Sequence, residues 1–222
     1  MPETVPGTID CIIDLYHGDI ISLSKAKEAG ILAVIHKASE GATVQDSYYA
    51  LRRHEAIGLN LLWGAYHYAS GMPPDKQVNN FLHAIQWGDD PEFDKMTLLC
   101  LDFEKSHSGP DMNLDDAGQF VSLLRDKTGR WPLVYGGNEL REAVKHAQNN
   151  SPVRNCPLWY ARYNETPKDI PTKFWNDFTF WQYSDGEAGP LPHLSLGGHS
   201  FDRNCFRGSA DELKQAWITL GT

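Results

Sequence analysis

Asp102 and Glu104 stand one residue apart at the end of the run Leu98-Leu99-Cys100-Leu101-Asp102-Phe103-Glu104, and carboxylates at that spacing can work as a pair. In an extended strand residues i and i+2 share a face, so both acids project together while Phe103 points the other way. At ~3.3 Å rise per residue their backbones stand roughly 6 to 7 Å apart, room for one sugar oxygen. Glycosidic cleavage uses such an arrangement: one protonated carboxyl donates to the leaving oxygen, and a second group stabilises an oxocarbenium-like centre. An Asp-x-Glu pair inside a structural ion-pair network has the same spacing, so the neighbouring elements decide between the two.

Composition bounds what the pair belongs to. With 222 residues, 41% of them apolar and 11% aromatic, the chain can bury one full core; one domain over 9–222, behind a short N-terminal extension at 1–8, is the simplest division. The net charge of −9 and the lack of any Lys/Arg cluster argue against nucleic acid, because phosphate binding rests on concentrated positive charge. The opening Met1-Pro2-Glu3-Thr4-Val5-Pro6-Gly7 lacks the basic and apolar segments of a signal peptide, and no run approaches the ~20 apolar residues of a membrane span. A monomer that inserts into no membrane and carries no classical export signal is expected. Cysteines at 11, 100, 156 and 205 are too scattered for a zinc knuckle and too few for a disulfide scaffold, so reduced thiols are expected. If the strands close into a barrel, Cys11 and Cys205 fall on neighbouring strands, which keeps one disulfide open as an alternative.

The elements that must position Asp102 and Glu104 repeat one alternation. Residues 9–15, 31–35, 59–68, 98–104 and 132–135 read as apolar strands, and 22–29, 46–57, 74–87 and 114–127 as the helices between them. Such an alternation predicts a parallel sheet covered on both faces. Beyond residue 150 the pattern changes: 157–163, 178–183 and 201–206 read as strands with little helix between them, before a closing helix over 210–220. The fold class expected is α/β, a β/α barrel whose last third is irregular.

In such a barrel functional groups collect where the strands end. Asp14, Glu40, Asp102, Glu104 and Asp202 all fall at strand ends and would converge on one rim, among Tyr66, Tyr135, Tyr160 and Trp181. Aromatic faces stack on the C–H groups of a sugar while carboxylates take its hydroxyls. Crowding raises the pKa of at least one acid, and Glu104, with the longer reach, is the candidate proton donor. Asp102 keeps two roles open: direct nucleophile, or a group that orients and polarises a 2-acetamido carbonyl of the sugar. His17 and His67 are expected to hydrogen-bond the carboxylates, and Lys37 to pair with an inward acid. No cofactor is expected, and no His-x-His or His-Glu-x-x-His spacing marks a metal site. A metal-dependent hydrolase built on Asp14, Asp102, Asp202 and a nearby His stays as an alternative. Gly136-Gly137 and Gly197-Gly198 read as loop glycines, and 185–200 as a loop that shapes the groove or covers the surface.

Ile13-Asp14 with His17 after it, Lys37-Ala38-Ser39-Glu40-Gly41, Gly64-Ala65-Tyr66-His67-Tyr68 and Leu101-Asp102-Phe103-Glu104 are followed by Leu158-Trp159-Tyr160-Ala161-Arg162-Tyr163, Trp181-Gln182-Tyr183-Ser184 and Asp202-Arg203-Asn204-Cys205-Phe206. In order and approximate spacing this set resembles glycoside hydrolase family 25, the Chalaropsis-type lysozymes, over about residues 9–206. The resemblance implies a single TIM-like (β/α)5β3 barrel that cuts the MurNAc to GlcNAc β-1,4 bond of peptidoglycan. It implies Glu104 as general acid/base and Asp102 as the neighbour that supports the reacting sugar. Asp14, Glu40 and Asp202 would be the other acids of the pocket, and Tyr66, Tyr135, Tyr160 and Trp181 would line the groove. Peptidoglycan sugars carry the 2-acetamido group and no second Glu lies beside Glu104, which favours acetamide assistance over direct attack by Asp102. The implied partner is the glycan strand of a bacterial wall, reached by phage lysis, by a secretion machine or after a signal sequence is trimmed.

The chain departs from the family pattern on strand one. Ile12 stands where a Gly is common, Tyr16 where a small residue usually follows Asp14-Leu15, and Asp19 follows Gly18 where other residues are usual. These changes alter one groove wall and keep a second alternative open, a catalytically weak wall-binding module on the same barrel.

Overall fold

Strands that are apolar on both faces need cover on both, and here helices wound round a closed ring of strands supply it. The computed structural model describes residues 5–107 and 109–222; residues 1–4 of the expected N-terminal extension lie outside the described residues. The chain runs β1 (Thr8–Leu15), α1 (Leu23–Glu28), β2 (Ala33–Glu40), β3 (Val44–Gln45), α2 (Tyr49–Gly58), β4 (Leu62–Tyr68), α3 (Pro74–Ile85), α4 (Pro91–Met96) and β5 (Leu98–Asp102). It continues through α5 (Leu114–Thr128), β6 (Leu133–Gly136), α6 (Asn138–His146), β7 (Leu158–Ala161), β8 (Phe180–Ser184), β9 (Leu194–Leu196), β10 (His199–Arg207) and α7 (Ala210–Thr219).

The ring follows the order β1-β10-β8-β7-β6-β5-β4-β2, and β2 pairs back onto β1. From β1 through β2, β4, β5, β6 and β7 to β8 every pairing is parallel. Helices follow β1, β2, β4, β5 and β6, whereas β7, β8 and β10 have none between them, which is the (β/α)5β3 barrel expected. Strand β10 is antiparallel to both neighbours, with Asp202 opposite Asp14 and Arg207 opposite Thr8. Its N-terminal half therefore reaches the rim where the parallel strands end. Asp202 was expected there as part of a strand end; it arrives because the strand is reversed.

The pleat sorts the side chains. Leu98 and Cys100 of β5 face the barrel interior with Ile12, Ala33, Ile35, Leu133, Trp159 and Phe180. Leu99 and Leu101 face outward and pack with Phe81, Phe120, Val121 and Leu124 of the helices. Gly64 lets Ile35 and Leu98 meet across the interior, since a Cβ there would come 3.3 Å from both. Helix α7, opened by a Ser209/Glu212 capping box, plugs the end where the parallel strands begin. Its Trp217 is fully buried, donates from Nε1 to the Trp63 carbonyl at 2.9 Å and lies 5.7 Å from the Phe180 ring.

Two glycine pairs do more than punctuate loops. Gly136 ends β6 where a Cβ would come 2.7 Å from Leu140 Cβ, so α6, a helix the sequence pattern did not announce, can fold back onto its strand. Gly197 and Gly198, at φ 65° and 85°, form the two-residue turn between β9 and β10, a geometry that favours glycine at both positions. The stretch 185–200 is thereby folded, with Tyr183 Oη donating to the Pro192 carbonyl at 2.7 Å. All four cysteines are buried; Cys11 packs in the interior and Cys205, on the adjoining strand, in the outer layer. Among the described residues no helix is long and apolar enough to cross a membrane.

Removing the Trp217 ring should leave an unfilled barrel end. Trp217→Ala is expected to lower unfolding free energy by about 3–5 kcal/mol, and Trp217→Phe by less, as read from urea denaturation curves. A loss below about 1 kcal/mol for the alanine variant would show that α7 is dispensable to the core.

Candidate active site

The carboxylates of Asp14, Glu40, Asp102, Glu104 and Asp202 line one cleft of about 400 Å³ at the rim, together with Tyr66 and Tyr135. Tyr160 and Trp181, expected in the same lining, are elsewhere. Both are buried in the outer layer, where Tyr160 Oη donates to the Lys168 carbonyl at 2.8 Å and Trp181 Nε1 to the Arg162 carbonyl at 2.7 Å. The reason is the strand period of two. Strand β7 turns Trp159 inward and Tyr160 outward, and β8 turns Gln182 inward and Trp181 outward, so the neighbour in sequence holds the cleft position each time.

Local backbone features aim the acids. Asp102 is the last residue of β5 and is buried. Phe103 packs outward, its N–H donating to the Tyr135 carbonyl at 2.9 Å, so Glu104 swings back over the cleft beyond the strand end. On β2 strict alternation would turn Glu40 away from the face that carries Lys37. A register shift between Lys37 and Ser39 restores it, and Lys37 Nζ meets Glu40 Oε2 at 2.6 Å, the inward acid partner expected of this lysine.

A polar net beneath the cleft holds the remaining acids. Gln182 Nε2 donates to Asp14 Oδ2 at 3.0 Å and to Asp202 Oδ2 at 3.0 Å, while its Oε1 accepts from Tyr135 Oη at 2.7 Å and Tyr163 Oη at 2.8 Å. Asn204 Nδ2 donates to Asp14 Oδ2 at 2.8 Å and its Oδ1 accepts from Trp159 Nε1 at 2.7 Å. Each amide thus has one orientation that satisfies all its partners. Gln182, Asn204, Tyr163 and Trp159 were not singled out from the sequence. One pattern could have found Asn204: it follows Asp202 at the same i+2 spacing that joins Asp102 to Glu104.

Burial sets the electrostatics. It pushes Glu104 up from 4.5 to about 7, with the Glu139 and Asp14 carboxylates adding to the effect. No donor among the described residues bonds the Glu104 carboxyl. Asp102 is held well above the ordinary carboxylate range by burial first, then by Glu104 and Asp14, with Lys37 opposing. Its Oδ1 is buried without a hydrogen-bond partner. Burial also raises Asp14 to about 6 against its Asn204 and Gln182 donors, and raises Asp202 to about 9 with Asp14 beside it.

The histidines divide. His17 Nδ1 lies 2.9 Å from Asp46 Oδ2, a carboxylate partner outside the central set. His67, expected to bond a carboxylate, is buried on the outer face between Ser39 Oγ at 2.8 Å and Gln77 Oε1 at 3.1 Å, and burial lowers its pKa to about 4. Among the described residues no three His, Cys, Asp or Glu groups are placed to hold a metal ion.

Comparison with known proteins identifies the fold and the family. The structure superposes on a muramidase from Acremonium alcalophilum with a TM-score of 0.75 at 26% identity, covering 95% of this chain and 98% of that one. Lysozyme M1 of Streptomyces globisporus is 25% identical over 210 residues, which are 90% of this chain and 69% of its own. The uncharacterized protein YegX of Escherichia coli is 29% identical over 187 residues, 80% of this chain, and the chain spans 60% of its length. Residues 13–190 match the pattern of Glycosyl hydrolases family 25, and the chain belongs to that family.

Proposed function

We propose that the protein is an N-acetylmuramidase that hydrolyses the β-1,4 bond between MurNAc and GlcNAc in peptidoglycan, with Glu104 as general acid/base and Asp102 assisting through the substrate's 2-acetamido group. The observation that carries this reading is the orphaned Asp102 Oδ1, buried beside a Glu104 raised to about 7. An unpaired buried carboxylate oxygen costs free energy until a donor arrives. An acetamido N–H is such a donor, and accepting it favours the ionised form of Asp102, whose proton passes to solvent as the substrate binds.

The steps balance around these two groups. Glu104 gives its proton to the glycosidic oxygen as the C1–O bond breaks, and the acetamido carbonyl oxygen bonds to C1 from the opposite face. Asp102 accepts the hydrogen bond of the acetamido N–H and stabilises the positive charge that develops there. Glu104, now ionised, takes a proton from water as that water opens the cyclic intermediate, returning both acids to their starting states. Two displacements at C1 give net retention. Glu104 also lines a second hollow of about 630 Å³ between α5 and α6, so it stands at the junction of two open spaces, as the cleavage point of a polymer requires. Peptidoglycan glycan is the partner this reading assigns, and a wall outside or around the cell is where the enzyme would act.

Glu104→Gln should lower kcat on purified peptidoglycan by at least about 10²–10⁴-fold while the protein stays folded. Release of MurNAc reducing ends, identified by reduction and mass spectrometry, is the readout; wild-type rates in this variant would remove Glu104 as the acid. Asp102→Asn should cost about 10²–10³-fold, and NMR of the first product should show the β anomer. An α anomer would overturn the acetamide route.

Because Glu104 donates as the neutral acid, kcat/KM should fall about tenfold per pH unit above its value of about 7. The same shift bears on stability. A carboxyl raised in the folded state contributes stability that is complete below its unfolded value and lost as pH rises through its folded value, here from 4.5 to about 7. Glu104→Gln should therefore melt with wild type near pH 4 and at least about 2 °C above it near pH 8.5 in thermal scans. A variant less stable than wild type at the higher pH would contradict the assigned shift.

A further inference from the structure

Most aromatic rings in the cleft are already engaged by other side chains. Tyr135 packs edge-on against Trp159 with ring centres 4.6 Å apart. Tyr68 is buried, with Lys37 Nζ 4.7 Å from its ring centre and His107 stacked on it at 4.7 Å. Tyr16 differs: it lines the same cleft yet is 45% exposed.

The loop holding Tyr16 is fixed by contacts that do not use its side chain. The Tyr16 N–H donates to Asp19 Oδ2 at 2.7 Å, and the Asp19 N–H donates back to the Tyr16 carbonyl at 3.1 Å. Arg52, buried under the loop, donates from Nη1 to that same carbonyl at 2.7 Å and to His36 Nε2 at 2.9 Å. Asp46 Oδ2 lies 2.9 Å from both the backbone nitrogen and Nδ1 of His17. The Tyr16 ring rests on Gly18, where a Cβ would come 2.5 Å from ring atoms Cζ and Oη. The His17 ring lies 5.1 Å away with its plane turned 76° to that of Tyr16. Gly18 backbone lies against the Tyr16 ring, and 45% of Tyr16 stays exposed in the cleft lining.

We infer that Tyr16 is a stacking platform for one further sugar ring of the glycan, beyond the sugars that flank Glu104, so that the cleft grips a longer strand than its catalytic pocket alone would. The identity of that glycan rests on the muramidase reading. A pyranose presents an apolar C–H face that matches an aromatic ring, and such contacts contribute a fraction of a kcal/mol to somewhat above one. A ring already held in place loses little freedom on binding, so more of that contact appears as affinity.

The test compares long peptidoglycan strands with a MurNAc-GlcNAc disaccharide, which covers only the sugars that flank Glu104, reading both hydrolysis and equilibrium binding. Tyr16→Ala should raise KM and Kd for long strands about 3–10-fold, leave kcat and disaccharide binding unchanged, and keep the wild-type melting temperature. Tyr16→Phe should match wild type. Gly18→Ala, which displaces the ring while Tyr16 remains, should weaken long-strand binding in the same way, and its effect should vanish in the Tyr16→Ala background. Equal effects on long and short chains, no effect on long chains, or an undiminished Gly18→Ala effect without the ring would each overturn the platform. Because binding is read separately from cleavage, a protein that grips long glycans through Tyr16 and cuts none would sink the muramidase reading alone.

Discussion

Closure of the strand ring is the constraint on which the rest depends. β1 bonds to β2 on one side and to the reversed β10 on the other, and this gives the sheet an inside. Only an inside can desolvate carboxylates. Lower layers filled by Ile12, Ile35, Leu98, Cys100, Leu133 and Phe180 keep water from entering from below, and α7 seals that end with Trp217. At the open rim the same interior positions carry Asp14, Lys37, Asp102 and Gln182. Apolar packing beneath and acids above are therefore one device, because burial is the largest cause of every raised carboxyl in the cleft.

The acids are treated unequally by their surroundings. Asp14 receives two amide donors, from Gln182 and Asn204, and rises only to about 6. Among the described residues Glu104 receives none and rises to about 7, while Asp102 keeps one oxygen unpaired. Donors ordinarily accumulate around buried carboxylates because leaving them bare costs free energy. Here they accumulate on the acids at the back wall and are withheld from the pair at the end of β5. Local stability is given up at the pair proposed to carry the chemistry, and the Gln182 and Asn204 net stabilises the acids behind it.

The wall formed by the β1–α1 loop follows a different logic. Arg52, Asp19 and Asp46 hold its backbone from three sides, so the exposed Tyr16 ring can vary without loosening the loop. Asp14 takes its amide donors from Gln182 and Asn204 inside the barrel and not from the Tyr16 ring.

By itself the sequence determined the alternation of apolar strands and helices, the irregular last third, and the Asp102/Glu104 pair at a strand end. Those features are local: periodicity, glycine stops and i+2 spacing need no long-range information. The tertiary structure decided which of two adjacent residues faces the cleft. Tyr160 and Trp181 lost that place to Trp159 and Gln182 because β7 and β8, apolar on both faces, carry no polar alternation to mark the inside. It also decided the direction of β10 and the register shift that brings Glu40 back in, since both are fixed by pairing with distant strands. Chain chemistry told which groups were present, and closure of the ring told which of them meet.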